Sequence, residues 1–460
     1  MTHPILKLWI SQILDRLGAQ LHGPDFSFCT VNTDTRQINA GDLFIALQGE
    51  NFDGHQFVKI AAERGACGAV VKHLLTDVDL PQVQVADTLI AYGQIAAFSR
   101  EKCFTGCMLA LTGSCGKTTV KEMTASILRE IGQTHATEKN FNNEVGVPQT
   151  LLSLNEEHKF AVLELGASKV GDIAYLRDLV KPDVVLVTNV LPAHLQGFGS
   201  IEAVARTKGE IYQHLPAHAK AVLNRDEKNS EIWQKSLGNR ESLTYSASAL
   251  KGADFYAATI NSTQHQQIVF ELCSPIGKTA IYLKVIGRHN VSNALGAAAM
   301  AYAAGATLEQ IKAGLEKFVP VKGRMKLHSG VAGSIVIDDS YNANPGSVKA
   351  AIDAISQWQG NKVLVLGDMG ELGANASQLH REIGEYARDQ AIENILTVGQ
   401  LSREASKVYG KKGLHFPDQE SLINYCKSIA TNEIVFLVKG SRSSKMEYIV
   451  GELTVMEGAN

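Results

Sequence analysis

Thr112-Gly113-Ser114-Cys115-Gly116-Lys117-Thr118-Thr119, directly after the apolar run Met108-Leu109-Ala110-Leu111, decides how this chain is read. An apolar run, a glycine-rich turn and a helical pattern from Lys117 to about Ile131 form the setting a nucleotide phosphate needs. Successive backbone N–H groups and a helix N-terminus supply positive potential there. Gly113 and Gly116 let the backbone approach the phosphates. Lys117 can reach the outer ones, and the hydroxyl of Thr118 or Thr119 can ligate Mg²⁺. A glycine-rich turn that merely caps a helix is the plainer alternative, and the preceding strand pattern disfavours it. The general spacing G-x-x-x-x-G-K-[ST] is not kept. Leu111 stands where the first glycine belongs, and Gly113 lies closer to Gly116. So shortened a loop argues against a common switch GTPase or motor.

Outward from the loop, β-like and helical patterns alternate. Phe160-Ala161-Val162-Leu163 and Val184-Val185-Leu186-Val187 are continuous apolar runs, as expected of strands buried on both faces of a parallel sheet. Phe255 to Ile286 alternates and predicts an antiparallel edge. Helical patterns at Asn293–Ala304 and Leu308–Phe318 follow, then a linker at Val319-Pro320-Val321-Lys322-Gly323. Beyond it, runs at Ile335–Ile337, Val363–Leu366, Ile395–Val398 and Ile434–Leu437 are separated by helical patterns. That predicts a doubly wound α/β domain. Before the loop, a small mixed α/β unit is predicted. Ile5, Leu6, Leu8, Ile13, Leu14 and Leu17 recur at near-helical spacing. Short strands at Phe44–Leu47 and Ala69–Val71 flank a helical stretch to about Arg64, and a helical connector runs from Ile90 to Glu101. The expected fold is therefore α/β in three domains: a mixed N-terminal unit (1–86), a central phosphate-loop domain on a parallel sheet (87–319) and a Rossmann-like C-terminal domain (320–460).

Composition narrows the classes. The chain has 460 residues, 45% apolar and 20% charged, with a net charge of -3. No global basic field recruits nucleic acid. No apolar run suits a membrane span, and Met1–Trp9 lacks the apolar segment of a signal peptide. The seven cysteines are scattered and odd in number, which fits free thiols in a reducing compartment. A cytoplasmic protein, monomeric and without nucleic-acid or membrane partners, is the expectation.

Thr-Gly-x-x-Gly-Lys-Thr resembles the loop of the Mur ligases and folylpolyglutamate synthases. Further segments resemble the Mur ligase family in order along nearly the whole chain. They are Leu163-Glu164-Leu165-Gly166, Asn189 to His194, Thr207-Lys208-Gly209-Glu210, Gly287-Arg288-His289-Asn290-Val291-Ser292-Asn293, Gly323-Arg324-Met325 and Asp338-Asp339-Ser340-Tyr341. Within that family, four segments resemble the branch whose substrates are UDP-N-acetylmuramoyl-tripeptide and D-alanyl-D-alanine. These are Asn140-Phe141-Asn142-Asn143 onward to Pro148, Asp338 to Pro345, Gly367 to Gly373 and Val438 to Ser443. The resemblance implies an ATP- and Mg²⁺-dependent amide ligase that activates a carboxylate as an acyl phosphate. A ligase adding a single diamino acid is the nearest alternative, folylpolyglutamate synthase a more distant one. Outside the class stands a nucleotide-dependent switch.

Residue by residue, the loop from Thr112 to Thr119 is the candidate ATP cradle, with Lys117 stabilising the transferring phosphoryl group. Glu164 ends a predicted strand, at the sheet edge where α/β proteins bind ligands. A carboxylate there suits Mg²⁺ or caps the next helix. The resemblance implies that Thr118, Glu164 and His194 hold metal, that Lys208 is carbamylated and that Lys117, Glu164, His194 and Lys208 are catalytic. A surface lysine is the bland alternative at Lys208. Asn290 and Asn293 can read an adenine edge, although Asn290 also suits an N-cap. The resemblance further implies that Arg324 and Asp339 meet the nucleotide when domains close, and that Thr35, Arg36, Gly49, Asp53 and His55 grip the UDP-sugar. Asn142, Asn143, Asn344, Lys439 and Arg442 are candidates for the acceptor peptide and the dipeptide. Arg442 suits either a dipeptide carboxylate or a structural salt bridge. Cys115 within the loop is a candidate site of thiol oxidation.

Overall fold

The computed structural model describes residues 7–49, 52–191, 198–248, 252–263 and 266–455. The strand Cys107–Thr112 occupies the interior of a nine-stranded sheet. It pairs in parallel with Phe160–Glu164 on one side and Val184–Val187 on the other. Its side chains alternate between two cores. Leu109 and Leu111 enter one with Val120, Met123 and Ile127 of the helix Lys117–Leu128. Met108 and Ala110 enter the other. Covered on both faces, such strands gain nothing from polar residues, hence the continuous apolar runs. Beyond Val184–Val187 the sheet continues through Lys220–Asn224, Ser242–Ser246 and Phe255–Ser262, all parallel. It ends in the antiparallel strands Gln267–Ser274 and Gly277–Ile286. The predicted antiparallel edge is present.

The C-terminal sheet has six strands in the order Lys326–Ser329, Ile335–Asp339, Ile434–Lys439, Asn361–Leu366, Asn394–Val398 and Gly413–Phe416. Only the first pair is antiparallel. Helices cover both faces, giving two cores. The N-terminal sheet has five strands, four of them parallel, and Gln20–His22 closes it antiparallel to Gln82–Gln84.

One sequence expectation is corrected and another is extended. The near-helical spacing from Leu8 to Leu17 does not make one helix; Ile5 and Leu6 lie outside the described residues. Leu8–Trp9 is a strand paired with Ser27–Phe28, a 3-10 turn covers Ile10–Gln12, and the helix is only Leu14–Leu17. Gly18, at φ 58°, stops it. Burying Leu8, Ile10 and Ile13 satisfies the apolar pattern without a continuous helix. The helix Thr88–Cys103 is also more than a connector. Ala91, Tyr92 and Ile95 belong to the N-terminal core, whereas Ala96, Ala97 and Cys103 belong to the central one. One rigid element therefore sits in both. No helix among the described residues is long and apolar enough to cross a membrane.

Candidate functional site

The loop's shape depends on its glycines. Gly113 has φ 151°, and a Cβ there would stand 1.9 Å from Thr188 Oγ1. Gly116 has φ 80°, and a Cβ would stand 2.5 Å from Asn293 Oδ1. Any side chain at either position collides, in a backbone region that favours glycine. The neighbouring strand end braces the loop. Ser114 N donates to Asn189 O (2.9 Å), Cys115 N to Asn189 Oδ1 (2.9 Å), and Thr188 Oγ1 to Cys115 O (2.7 Å). Lys117 folds back so that its ammonium donates to Gly113 O at 2.8 Å.

Glu164 closes its strand beside the loop. Its two carboxylate oxygens accept from Thr118 Oγ1 and Asn142 Nδ2, each at 2.8 Å. The next helix begins at Asp172, so Glu164 is no helix cap. A carboxylate and a hydroxyl already in contact form a hard oxygen donor pair. Such a pair suits Mg²⁺, which keeps waters and phosphate oxygens as its other ligands. His194 lies outside the described residues. Lys208, on the helix Ile201–Gly209, is buried, so the surface reading fails. Burial first, and the nearby Lys117 charge second, push its amine down to about 7.

A cavity of about 340 Å³ runs from the loop to the C-terminal domain. Asn290 does not cap the helix His289–Ala303 but lies in its first turn. Its Nδ2 donates to Ile286 O (2.8 Å) and its Oδ1 accepts from Asn293 Nδ2 (2.8 Å). From the C-terminal domain, Arg324 Nη2 stands 3.5 Å from Thr118 Oγ1. Asn344 caps the helix Pro345–Ser356, accepting from Ser347 N, while its Nδ2 stands 3.3 Å from Cys115 Sγ. Asp339 and Lys439 form a buried ion pair at 2.5 Å, with Lys439 also donating to Asn342 O (2.8 Å). Lys439 thus lines this cavity beside Asp339.

The remaining candidates are not gathered there. Arg36 is exposed and paired with Asp34 at 2.6 Å, which holds the Asp34 carboxyl down to about 2. Thr35 accepts from Arg64 through its carbonyl. Asp53 accepts from His55 Nδ1 at 2.6 Å, and His55 Nε2 accepts from Lys72 N at 2.9 Å, which fixes the tautomer. Gly49 belongs to the two-stranded ribbon that carries Asp53. Asn143 Oδ1 accepts from Gly146 N (2.9 Å) at the start of the helix Gly146–Leu152. Arg442 pairs with Glu447 at 2.9 Å, the structural alternative.

Sequence reasoning missed Thr188 and Asn189, which hold the loop, and Thr137, whose hydroxyl receives the Glu164 N–H at 3.1 Å. Asn189 was findable, because it follows the apolar run Val184–Val187 at the same sheet edge. Thr137 follows a strand of three half-buried residues, Thr134–Ala136, and gave no such signal.

A phosphate loop at the C-terminal edge of a parallel sheet, roofed by a second α/β domain that reaches it with an arginine, defines a nucleotide-driven enzyme of the multidomain ligase class. Family models agree along the chain. Residues 28–99 match "Mur ligase family, catalytic domain", 111–301 "Mur ligase middle domain" and 323–442 "Mur ligase, glutamate ligase domain". The chain is 43% identical to the UDP-N-acetylmuramoyl-tripeptide--D-alanyl-D-alanine ligase of Escherichia coli K12, over 98% of this chain and 99% of that protein. It is 32% identical to the enzyme of the same name from Bacillus subtilis, over 98% and 99%. Among solved structures, MurF from Acinetobacter baumannii superposes with a TM-score of 0.91 at 36% identity, covering 98% and 99%. MurF from Thermotoga maritima in complex with ADP gives 0.82 at 26%, covering 92% and 96%. The chain belongs to the Mur ligase family, in its MurF branch.

Proposed function

We infer that the chain is an ATP-dependent amide ligase that joins D-alanyl-D-alanine to UDP-N-acetylmuramoyl-tripeptide. ADP, phosphate and UDP-N-acetylmuramoyl-pentapeptide, a peptidoglycan precursor, are the products. The observation that carries this is the end-to-end likeness to ligases of that name, at 43% identity over 98% of the chain. Making an amide from a carboxylate needs a leaving group better than oxide. A carboxylate oxygen of the tripeptide attacks the γ-phosphorus of ATP and ADP departs. The dipeptide amine then attacks the acyl carbon, phosphate leaves with that oxygen, and the amine gives up a proton.

Lys117 and Arg324 face the transferring phosphoryl group, supplying positive charge where negative charge accumulates. Thr118 and Glu164 would hold Mg²⁺, with His194 by resemblance; the ion would neutralise phosphate charge. Asn290 and Asn293 serve the base, and Asp339 with Lys439 forms the far wall. A neutral Lys208 amine can take up CO₂, losing a proton to become a carbamate, and so present a second carboxylate-like group near Lys117. Residues 1–86 bind the UDP-sugar through Thr35, Arg36, Gly49, Asp53 and His55. Residues 87–319 carry ATP, and 320–460 close over it. Asn142, Asn143, Asn344 and Arg442 serve the peptide substrates. A nucleotide-sugar substrate and ATP suit a cytoplasmic enzyme, and we take it to act as a monomer.

Phosphate release with each substrate omitted in turn tests the inference. Turnover is expected only with ATP, UDP-tripeptide and D-alanyl-D-alanine together, and single amino acids should not replace the dipeptide. Phosphate release without the peptide substrates would instead favour a switch.

A further inference from the structure

Tyr341 lies in the segment Asp338–Pro345, yet no step above uses it. The guanidinium carbon of Arg324 stands 4.2 Å from the Tyr341 ring centroid. That of Arg442 stands 5.8 Å from the same centroid. One ring therefore carries two cations. They differ in what else they hold. Arg442 has Glu447 at 2.9 Å, whereas among the described residues Arg324 forms no ion pair. Apart from the ring, its side chain reaches Thr118 Oγ1, across the domain boundary at 3.5 Å.

The backbone around the ring is built to bring it there. Tyr341 N donates to Gly323 O (3.2 Å), Gly323 N to Asp338 Oδ2 (2.9 Å) and Met325 N to Asp339 Oδ1 (3.2 Å). Three hydrogen bonds thus fasten the residues on either side of Arg324 to the strand end that carries Tyr341. Gly323 has φ 77°, and a Cβ on it would stand 2.9 Å from Tyr341 Cβ. A long, flexible arginine with one distant contact would otherwise sample many rotamers. An aromatic face beneath the guanidinium confines it without neutralising its charge, as a carboxylate partner would.

We propose that Tyr341 is a positioning residue whose ring holds Arg324 extended toward the phosphate loop, so that its charge meets the transferring phosphoryl group. This rests on the role given to Arg324 above. The ring acts, not the hydroxyl, and it acts only through Arg324.

The test is a double-mutant cycle on the full-length enzyme, with kcat and KM for ATP measured at saturating UDP-tripeptide and dipeptide. Tyr341→Leu should lower kcat about tenfold, the scale of a partly desolvated cation–π contact, with KM for ATP little changed. Tyr341→Phe should restore most of that loss. Combined with Arg324→Ala, Tyr341→Leu should cost nothing further, because both act through one guanidinium. Three results would overturn the proposal: undiminished kcat in Tyr341→Leu, a loss in Tyr341→Phe as large as in Tyr341→Leu, or a full additional loss on the Arg324→Ala background. Full activity in Arg324→Ala would instead sink the role of Arg324. Thermal melting of each variant identifies one that fails to fold, and Tyr341→Trp then replaces Tyr341→Leu, with retained kcat expected and a tenfold loss counting against the ring.

Discussion

The phosphate loop and the N-terminal unit both carry candidate residues but treat them oppositely. Around the loop, side chains from several different elements converge. Thr118 comes from a helix start, Glu164 from a strand end, Asn293 from a second helix and Arg324 from another domain. In the N-terminal unit the candidates satisfy each other at short range, Arg36 with Asp34 and His55 with Asp53. A site assembled from distant elements exists once the core has formed, and its groups are fixed before ligand arrives. A site of local pairs must exchange those pairs for ligand contacts, so part of each new interaction is offset by the one given up. Preorganisation should therefore be strong for ATP and weak for the UDP-sugar.

The largest break in that contrast is Lys117→Ala. Removing the loop's ammonium from the donor site should lower kcat/KM for ATP by about a thousandfold, with unchanged melting temperature, in steady-state assays. A loss below tenfold would mean that the loop's charge is not the main stabiliser. Next, Lys208→Ala should lose about a hundredfold in kcat and recover part of it with added acetate or propionate. Failure of every small carboxylic acid to rescue would remove the carbamate from the account. In the N-terminal unit, Arg36→Ala should raise KM for the UDP-tripeptide about tenfold and leave KM for ATP alone. An equal effect on both would erase the distinction between the two regions.

The smallest effect at neutral pH concerns His135, on the edge strand Thr134–Ala136. Burial first, and the His158 charge second, hold it down to about 4. Between the ordinary histidine value of 6.5 and about 4, the unfolded chain binds a proton that the folded chain refuses. Stability is therefore lost as pH falls through that window, by at most about 3 kcal/mol. His135→Gln should flatten that part of the curve of urea midpoint against pH and leave the neutral rate unchanged. An unaltered slope would assign the acid sensitivity to other groups.

The same contrast explains what the sequence disclosed. Strands buried on both faces announce themselves as apolar runs, so Cys107–Thr112, Phe160–Glu164 and Val184–Val187 were legible, with the loop and Glu164 at their ends. Ser242–Ser246 and Gly413–Phe416 were not, because neither forms a continuous apolar run. The Asp339–Lys439 pair joins residues a hundred positions apart, and only the parallel pairing of their strands brings them together. Near the chain start, helical spacing misled, because Leu8, Ile10 and Ile13 reach one core through a strand and a turn. Arg442 left two roles open in sequence; it pairs with Glu447, a partner that a dipeptide carboxylate would have to displace.

In the inferred mechanism, the cavity between the phosphate loop and the C-terminal domain activates a carboxylate by phosphorylation. Supplying UDP-tripeptide with heavy oxygen in its terminal carboxylate, and weighing the released phosphate by mass spectrometry, tests it directly. One labelled oxygen should appear in each phosphate formed, because the acyl oxygen leaves with the phosphoryl group. Unlabelled phosphate accompanying full amide formation would rule out an acyl-phosphate intermediate.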